Sequence, residues 1–292
     1  MTAKKTTLLM CIGAQKAGTT WLGKQLQNHP NVYTPPIKEI HHFDSIHRKV
    51  NHKVRNKRIR MYKKHVAKMA FLKFSNPNYI QTTKWLLNYC VTPKNDDEWY
   101  LSLFDIPGNI INNKSVFVDN TPEYSIIDKK GLQHIKNIHP NVKIIFLMRE
   151  PKSRVWSAIR YFSKNNPEKT LLEDNEKMIN FINERGTEKR NDYISIMKNI
   201  ESVFSKENIL YQFYENIFDS EMSQLLFLEQ ICNFIKVEYD QSFFIDTISE
   251  RVNATASQNI PDKIDKYLQL KYRKQNKTMK EIFQKKLPNS WT

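Results

Sequence analysis

Residues 7–22, TLLMCIGAQKAGTTWL, decide the fold. An apolar run, 7–12, leads into Gly13; Gly18 follows, and Thr19, Thr20, Trp21 and Leu22 open an amphipathic segment. A short apolar run ending in glycine predicts a buried strand. A glycine turn that feeds a helix presents backbone N–H groups and the positive end of the helix dipole to an anion. The nucleoside-triphosphate loop reads G-x-x-x-x-G-K-[ST], with lysine directly after the second glycine. Here Thr19 holds that place and the lysine lies inside the loop, at Lys16. The loop is therefore suited to an anion, but it lacks the usual clamp on β- and γ-phosphates.

Outward from this stretch, three more runs read as buried strands: 115–119 (SVFVD), 143–148 (KIIFLM) and 209–213 (ILYQF). Helical patterns lie between and after them, at 19–28, 126–138, 152–163, 192–204 and 221–235. Strands alternating with helices predict an α/β fold: a central parallel β-sheet flanked by helices, with ligands at the strands' carboxyl ends. The segment 45–95 contains no acidic residue and is dense in Lys, Arg and His, and the chain beyond 246 is helical and basic. No repeat or linker is visible. The expected organisation is a single domain over 1–292, with a basic insertion at about 45–100 and a helical C-terminal cap at about 240–292.

The formal net charge of +16 is more than a fold requires and implies an anionic partner. Cys11, Cys90 and Cys232 have no metal-ligand spacing and read as reduced core residues, which predicts a cytoplasmic protein. Lys4 and Lys5 precede the first apolar run, but that run is too short for a signal peptide and continues into the glycine loop. No stretch approaches the length of a membrane span.

Two further stretches carry chemistry. In PPIKEIHHFD, residues 35–44, two prolines stiffen the approach to Lys38, Glu39, His41 and His42. Carboxylate and imidazole are the groups that take a proton from a hydroxyl. In LMREPKSRVWSAIRYF, residues 147–162, Arg149 stands at the end of a strand, Pro151 at a helix start, and Ser157 about two turns along that helix. An arginine with a helical hydroxyl suits a second phosphate.

QKAGTTWL followed by REPKSRVWS resembles the two nucleotide signatures of the sulfotransferases that use 3′-phosphoadenosine 5′-phosphosulfate (PAPS). PIKEIHHFD is similar to the K-E-x-H-F-F-D segment of the heparan-sulfate and bacterial carbohydrate branch, and DNTPEY, 119–124, to that branch's S/T-P-x-Y stretch. FYENI and RVNAT match weaker late elements. The resemblance implies that Lys16, with Ala17, Gly18, Thr19, Thr20 and Trp21, holds the 5′-phosphosulfate side of the donor, and that Arg149 and Ser157 hold its 3′-phosphate. It implies Glu39 as general base for an in-line transfer to an acceptor hydroxyl, with adenosine 3′,5′-bisphosphate (PAP) as product and no metal. Lys38, His41 and Asn120 then belong to the acceptor side. The acceptor implied is a carbohydrate or small hydroxylated molecule, anionic ones included.

This chain departs from that pattern in places. Asn120 replaces a lysine frequent before S/T-P-x-Y, a charge that Lys38 can supply. His42 replaces a phenylalanine and is a rival base to Glu39. No glycine follows Gly186, so the family's glycine-containing loop over the nucleotide has no counterpart; Arg251, Lys263 and the Lys285–Lys286 pair are the substitutes on offer. Two other readings exist. An ATP-dependent kinase would use Asp119 for magnesium. A nucleic-acid or polyanion binder would use the basic segment around Arg55, Lys57, Arg58 and Arg60 with Tyr62, Phe71, Phe74, Tyr79 and Trp85. No nucleic-acid motif frames those aromatics, so no nucleic-acid partner is expected.

Overall fold

The computed structural model describes residues 6–48, 56, 58–64, 77–91, 96–104, 115–167, 170–250 and 258–291. Strands β1 (Thr7–Gly13), β2 (Val32–Tyr33), β3 (Val116–Asn120), β4 (Val142–Met148) and β5 (Ile209–Phe213) form a five-stranded sheet in the order β2-β3-β1-β4-β5. Every pairing is parallel. Four of these strands are the expected runs. β2 is the addition: its two residues, paired with Val116 and Phe117, are too few to show as an apolar run.

Because β3 flanks β1 on one side and β4 on the other, the chain changes direction across the sheet at the end of β1. That switch point is where open parallel sheets leave a crevice for ligands. At that point stand Gly13 at the end of β1, Asn120 at the end of β3, and Arg149 just after β4. Buried on every residue, β1 and β4 form the middle of the core.

The helices before β4 are α1 (Thr19–Gln27), α2 (His42–His47), α3 (Pro77–Cys90), α4 (Asp97–Ser102) and α5 (Lys129–Ile138). After it come α6 (Pro151–Asn165), α7 (Asn175–Asn183), α8 (Arg185–Asn191), α9 (Tyr193–Glu201), α10 (Tyr214–Ile217), α11 (Glu221–Ile235) and α12 (Asp262–Phe283). α5 begins later than its apolar pattern suggests, because Pro122–Ile126 is a 3-10 turn and Asp128 caps α5 by accepting from the Gly131 N–H at 2.9 Å. The cap of α6 is Glu150, whose carboxylate accepts from the N–H groups of Lys152 and Ser153. A second apolar cluster joins Val155, Trp156 and Ile159 of α6, Met178 and Ile182 of α7, and Ile264, Leu268 and Tyr272 of α12. The chain end docks through Trp291, buried and donating to Glu215 Oε2 at 3.1 Å.

Cys11, Cys90 and Cys232 are buried free thiols, as expected of reduced core residues. No helix among the described residues is long and apolar enough to cross a membrane. Within the expected insertion, 49–55, 57, 65–76 and 92–95 lie outside the described residues, which removes Arg55, Lys57, Phe71 and Phe74 from view. Arg58 does not suit the basic binding segment that the polyanion-binder reading would use. It is 3% exposed, donates to Ile40 O at 3.0 Å, and lies over the rings of Tyr89 and Trp99. Trp85 is buried as well, its indole N–H on Leu103 O, and offers no stacking platform to a nucleic-acid base.

Candidate active site

The loop after β1 owes its shape to glycine. Gly18 sits at the N-terminus of α1 with φ 86°, and a Cβ there would lie 2.7 Å from the Phe218 ring. Only glycine fits both the left-handed backbone and that contact. Ala17 is fully buried, which anchors the loop, and Lys16 itself has φ 68°. The Lys16 ammonium lies 4.2 Å from the Tyr161 ring centroid, and its carbonyl accepts from Arg149 Nη1 at 3.1 Å. The two expected phosphate sites are thus joined by a direct hydrogen bond.

Positive charge is crowded here. Burial, then the neighbouring charges of Arg149, Lys38, Arg160 and Arg154, push the Lys16 pKa down to about 8. Arg149 lies over the Tyr214 ring at 4.3 Å, and its Nε is buried with no hydrogen-bond partner among the described residues. Among the described residues neither nearby carboxylate engages its guanidinium: Glu150 caps α6, and Glu215 accepts from the Glu150 N–H and from Trp291. Arg154, 1% exposed, uses Nε on Asn191, and its Nη2 has no partner among the described residues. Its position inside REPKSRVWS was visible in the sequence, but its inward direction was not. Ser157 is buried on the same helix. A buried cationic group with donors to spare is what an anionic ligand satisfies.

Lys38 reaches the loop from the other side, donating to Thr20 Oγ1 at 2.8 Å and Thr19 Oγ1 at 3.1 Å. Asn120, expected on the acceptor side, lies next to the start of α1. Its amide donates to the Thr19 carbonyl at 2.6 Å, tying the start of α1 to the end of β3. Trp21 is also turned inward: its indole is 3% exposed, packs edge-on against Phe218 and donates to Ile248 O. Ile248 leads into 251–257, so Arg251 lies outside the described residues.

Residues 38–44 form a turn with two non-glycine residues in the left-handed region, Glu39 (φ 65°) and His41 (φ 57°). The Glu39 N–H donates to Asn120 O, and the Tyr89 hydroxyl reaches Glu39 O and Ile40 O. The Glu39 carboxylate stands 3.9 Å from Lys38 Nζ and 3.3 Å from His41 Nε2, while His41 Nδ1 is 2.8 Å from Asp44. Burial works against a charge on His41, but hydrogen bonds to Asp44 and Glu39 outweigh it and raise its pKa to about 9. Its neighbour behaves oppositely. His42 is fully buried, stacks on Tyr100, and points Nε2 at Asp97, and burial lowers its pKa to about 4.

Asp119, the magnesium ligand a kinase would need, is fully buried. It accepts hydrogen bonds from Thr121, Tyr100 and Tyr124, which makes it a core residue. Glu123, not singled out in the sequence, gathers Gln15 from the loop with Arg48 and Arg190.

With this geometry established, the family is clear. The sulfotransferase family profile matches residues 9–241, and the chain belongs to that family. No curated protein sequence matches. Among solved structures, a sulfotransferase from Alicyclobacillus acidocaldarius is 16% identical, with 100% of this chain and 99% of that one aligned and a TM-score of 0.61. The sulfotransferase domain of the Synechococcus PCC 7002 olefin synthase is 18% identical over 94% of this chain and 90% of its own, at TM-score 0.50. A mouse sulfotransferase complexed with PAP is 14% identical over 98% of this chain and 86% of its own, at TM-score 0.41. At these identities the likeness to the first two is one of fold.

Proposed function

We propose that this single-domain enzyme transfers the sulfuryl group of PAPS to an acceptor hydroxyl, with Glu39 as general base. One observation carries the reading. Lys38 bridges the two halves of the site: its ammonium lies 2.8 Å from Thr20 of the loop and 3.9 Å from the Glu39 carboxylate. A base and an anion-binding helix start separated by one lysine is the arrangement a transfer to a hydroxyl requires.

The residues present fit the donor. The unpartnered Arg149 Nε and Arg154 Nη2 can meet a 3′-phosphate, with the Ser157 hydroxyl on the same helix. Lys16 and the α1 N-terminus can hold the phosphosulfate, with Thr19 and Thr20 adding hydroxyls and Ala17 and Trp21 fixing the loop from beneath. When bound, PAPS supplies an activated sulfuryl group whose leaving oxygen gains negative charge. Lys16 and Lys38 face that charge, and interactions that strengthen as charge builds lower the barrier. Glu39 accepts the acceptor's proton, and His41 and Lys38 hold its carboxylate in place. The burial of His42 and its direction toward Asp97 favour Glu39 over His42 as the base.

For the acceptor, the likeness of residues 36–44 to the carbohydrate branch supports a sugar hydroxyl, and the +16 net charge favours anionic acceptors. Thermal unfolding with PAP, against ATP with magnesium, tests the donor. PAP at about a hundredfold its Kd adds roughly 2.7 kcal/mol of stability. A shift with magnesium-ATP alone overturns the reading. Glu39→Gln should then abolish transfer while leaving the PAP shift intact; full activity in that variant removes Glu39 as base.

A further inference from the structure

We propose that His42, Asp97 and His134 form a binding site for a divalent transition-metal ion, with zinc as the best-suited ion. These residues come from the start of α2, the start of α4 and the middle of α5, and their ligating atoms all lie within 4.8 Å of one another. Both imidazoles direct Nε2 at the same carboxylate oxygen. His42 Nε2 is 3.2 Å and His134 Nε2 is 2.7 Å from Asp97 Oδ1. Ligands on a tetrahedral zinc, with bonds of about 2.0–2.1 Å, stand about 3.3 Å apart, so small side-chain shifts open room for the ion. Two imidazoles and a carboxylate are a borderline donor set that suits zinc or cobalt better than magnesium or calcium.

The surroundings support this assignment. The other ring nitrogen of His134, Nδ1, is 3.0 Å from His47 Nε2, the second hydrogen bond that orients a metal-bound histidine. The His42 ring is held by its stacking on Tyr100 with Nε2 aimed at Asp97, and its Nδ1 has no hydrogen-bond partner among the described residues. Asp97 is half exposed and His134 is 23% exposed, which leaves a route for the ion and a free position for water. The ion would pin α4 to α2 and α5. Because His42 directly follows His41, it would also brace the turn that carries Glu39. It shares no ligand with Lys16, Lys38 or Glu39, so its presence does not depend on the proposed donor or acceptor.

The test uses the full chain, stripped with a chelator and titrated with Co²⁺ by visible absorption. The expected result is the d–d band of a low-coordinate cobalt site saturating at one ion per chain, displaced by Zn²⁺, with Zn²⁺ also raising the Tm. Asp97→Asn and His134→Ala should remove the band, His42→Phe should do the same, and His47→Ala should weaken binding about tenfold. Asp97→Asn changes a half-exposed side chain, and its circular dichroism should match the parent. His139→Ala, away from the cluster, should leave the titration unchanged. A stripped chain with no cobalt band and no zinc-dependent Tm overturns the proposal. So does a band that survives both Asp97→Asn and His134→Ala.

Discussion

In the loop at 13–18 the backbone itself shapes the proposed anion site, whereas in the turn at 38–44 side chains hold the backbone in place. The loop ends on a glycine that no other residue can replace without meeting Phe218, and its charges lean on one another with few opposing carboxylates. The turn places Glu39 and His41 in the left-handed region and offsets that cost with a hydrogen bond from the Tyr89 hydroxyl and others to the Asn120 carbonyl and the Asp44 carboxylate. The loop's function is therefore exposed to changes in shape and charge. The turn's function depends on which way each side chain faces.

Removing charge from the loop should have the largest effect. Lys16→Ala should cost on the order of 3 kcal/mol of transition-state stabilisation, about a hundredfold in turnover, measured by steady-state kinetics. Near-normal turnover would place the critical charge on the turn, at Lys38. Next comes Arg149→Ala, which should weaken binding of PAP by about 1.5–3 kcal/mol and binding of its 3′-hydroxyl analogue far less, read by calorimetry. Equal losses would mean that Arg149 only supports the loop through Lys16 O. Gly18→Ala should lower stability by about 1–3 kcal/mol in denaturant titration, since it combines left-handed strain with a steric contact. An unchanged midpoint would show that the loop is as adaptable as the turn.

The smallest expected effect is a pH dependence. Lys16 in the free enzyme has a pKa lowered to about 8, so it is charged below that pH and loses its proton above it. kcat/KM for the donor should therefore fall roughly threefold between about pH 7.5 and 8.5, because that parameter reports the free enzyme. Lys16→Arg should flatten the profile. The same lowered pKa means that the unfolded chain holds this proton more tightly than the folded one. This group's contribution to stability therefore rises with pH from about 8 toward its ordinary value, and bound anion should reverse the penalty at lower pH.

The loop was legible in the sequence because its determinants are local. An apolar run, two glycines at fixed spacing and a helix start specify backbone shape without reference to distant residues. The placing of Arg149 just after β4 and of Ser157 along α6 was legible for the same reason, since both lie along one strand–helix unit. The turn was half legible. Its residues stood out, but adjacent histidines look equivalent in a sequence. Here His41 lies between two carboxylates, and His42 enters an aromatic cluster with Tyr100 and Trp99. Arg58 shows the limit most clearly. In a run of basic residues nothing marks the one that is buried over two rings, because burial depends on where α3 and α4 pack.

By itself, then, the sequence determined the parallel α/β sheet, the glycine loop after the first strand, the Lys16 displacement that points away from ATP, and the placing of Arg149 and Ser157 on one strand–helix unit. These follow from periodicity and short-range stereochemistry. The tertiary structure decided that Lys38 joins the loop to Glu39, that Asn120 ties the start of α1 to the end of β3, and that Asp119 serves the core. It also brought His42, Asp97 and His134 together from three separate helices. Such contacts depend on the directions of side chains from distant segments, and those directions are settled only when the layers pack against the sheet.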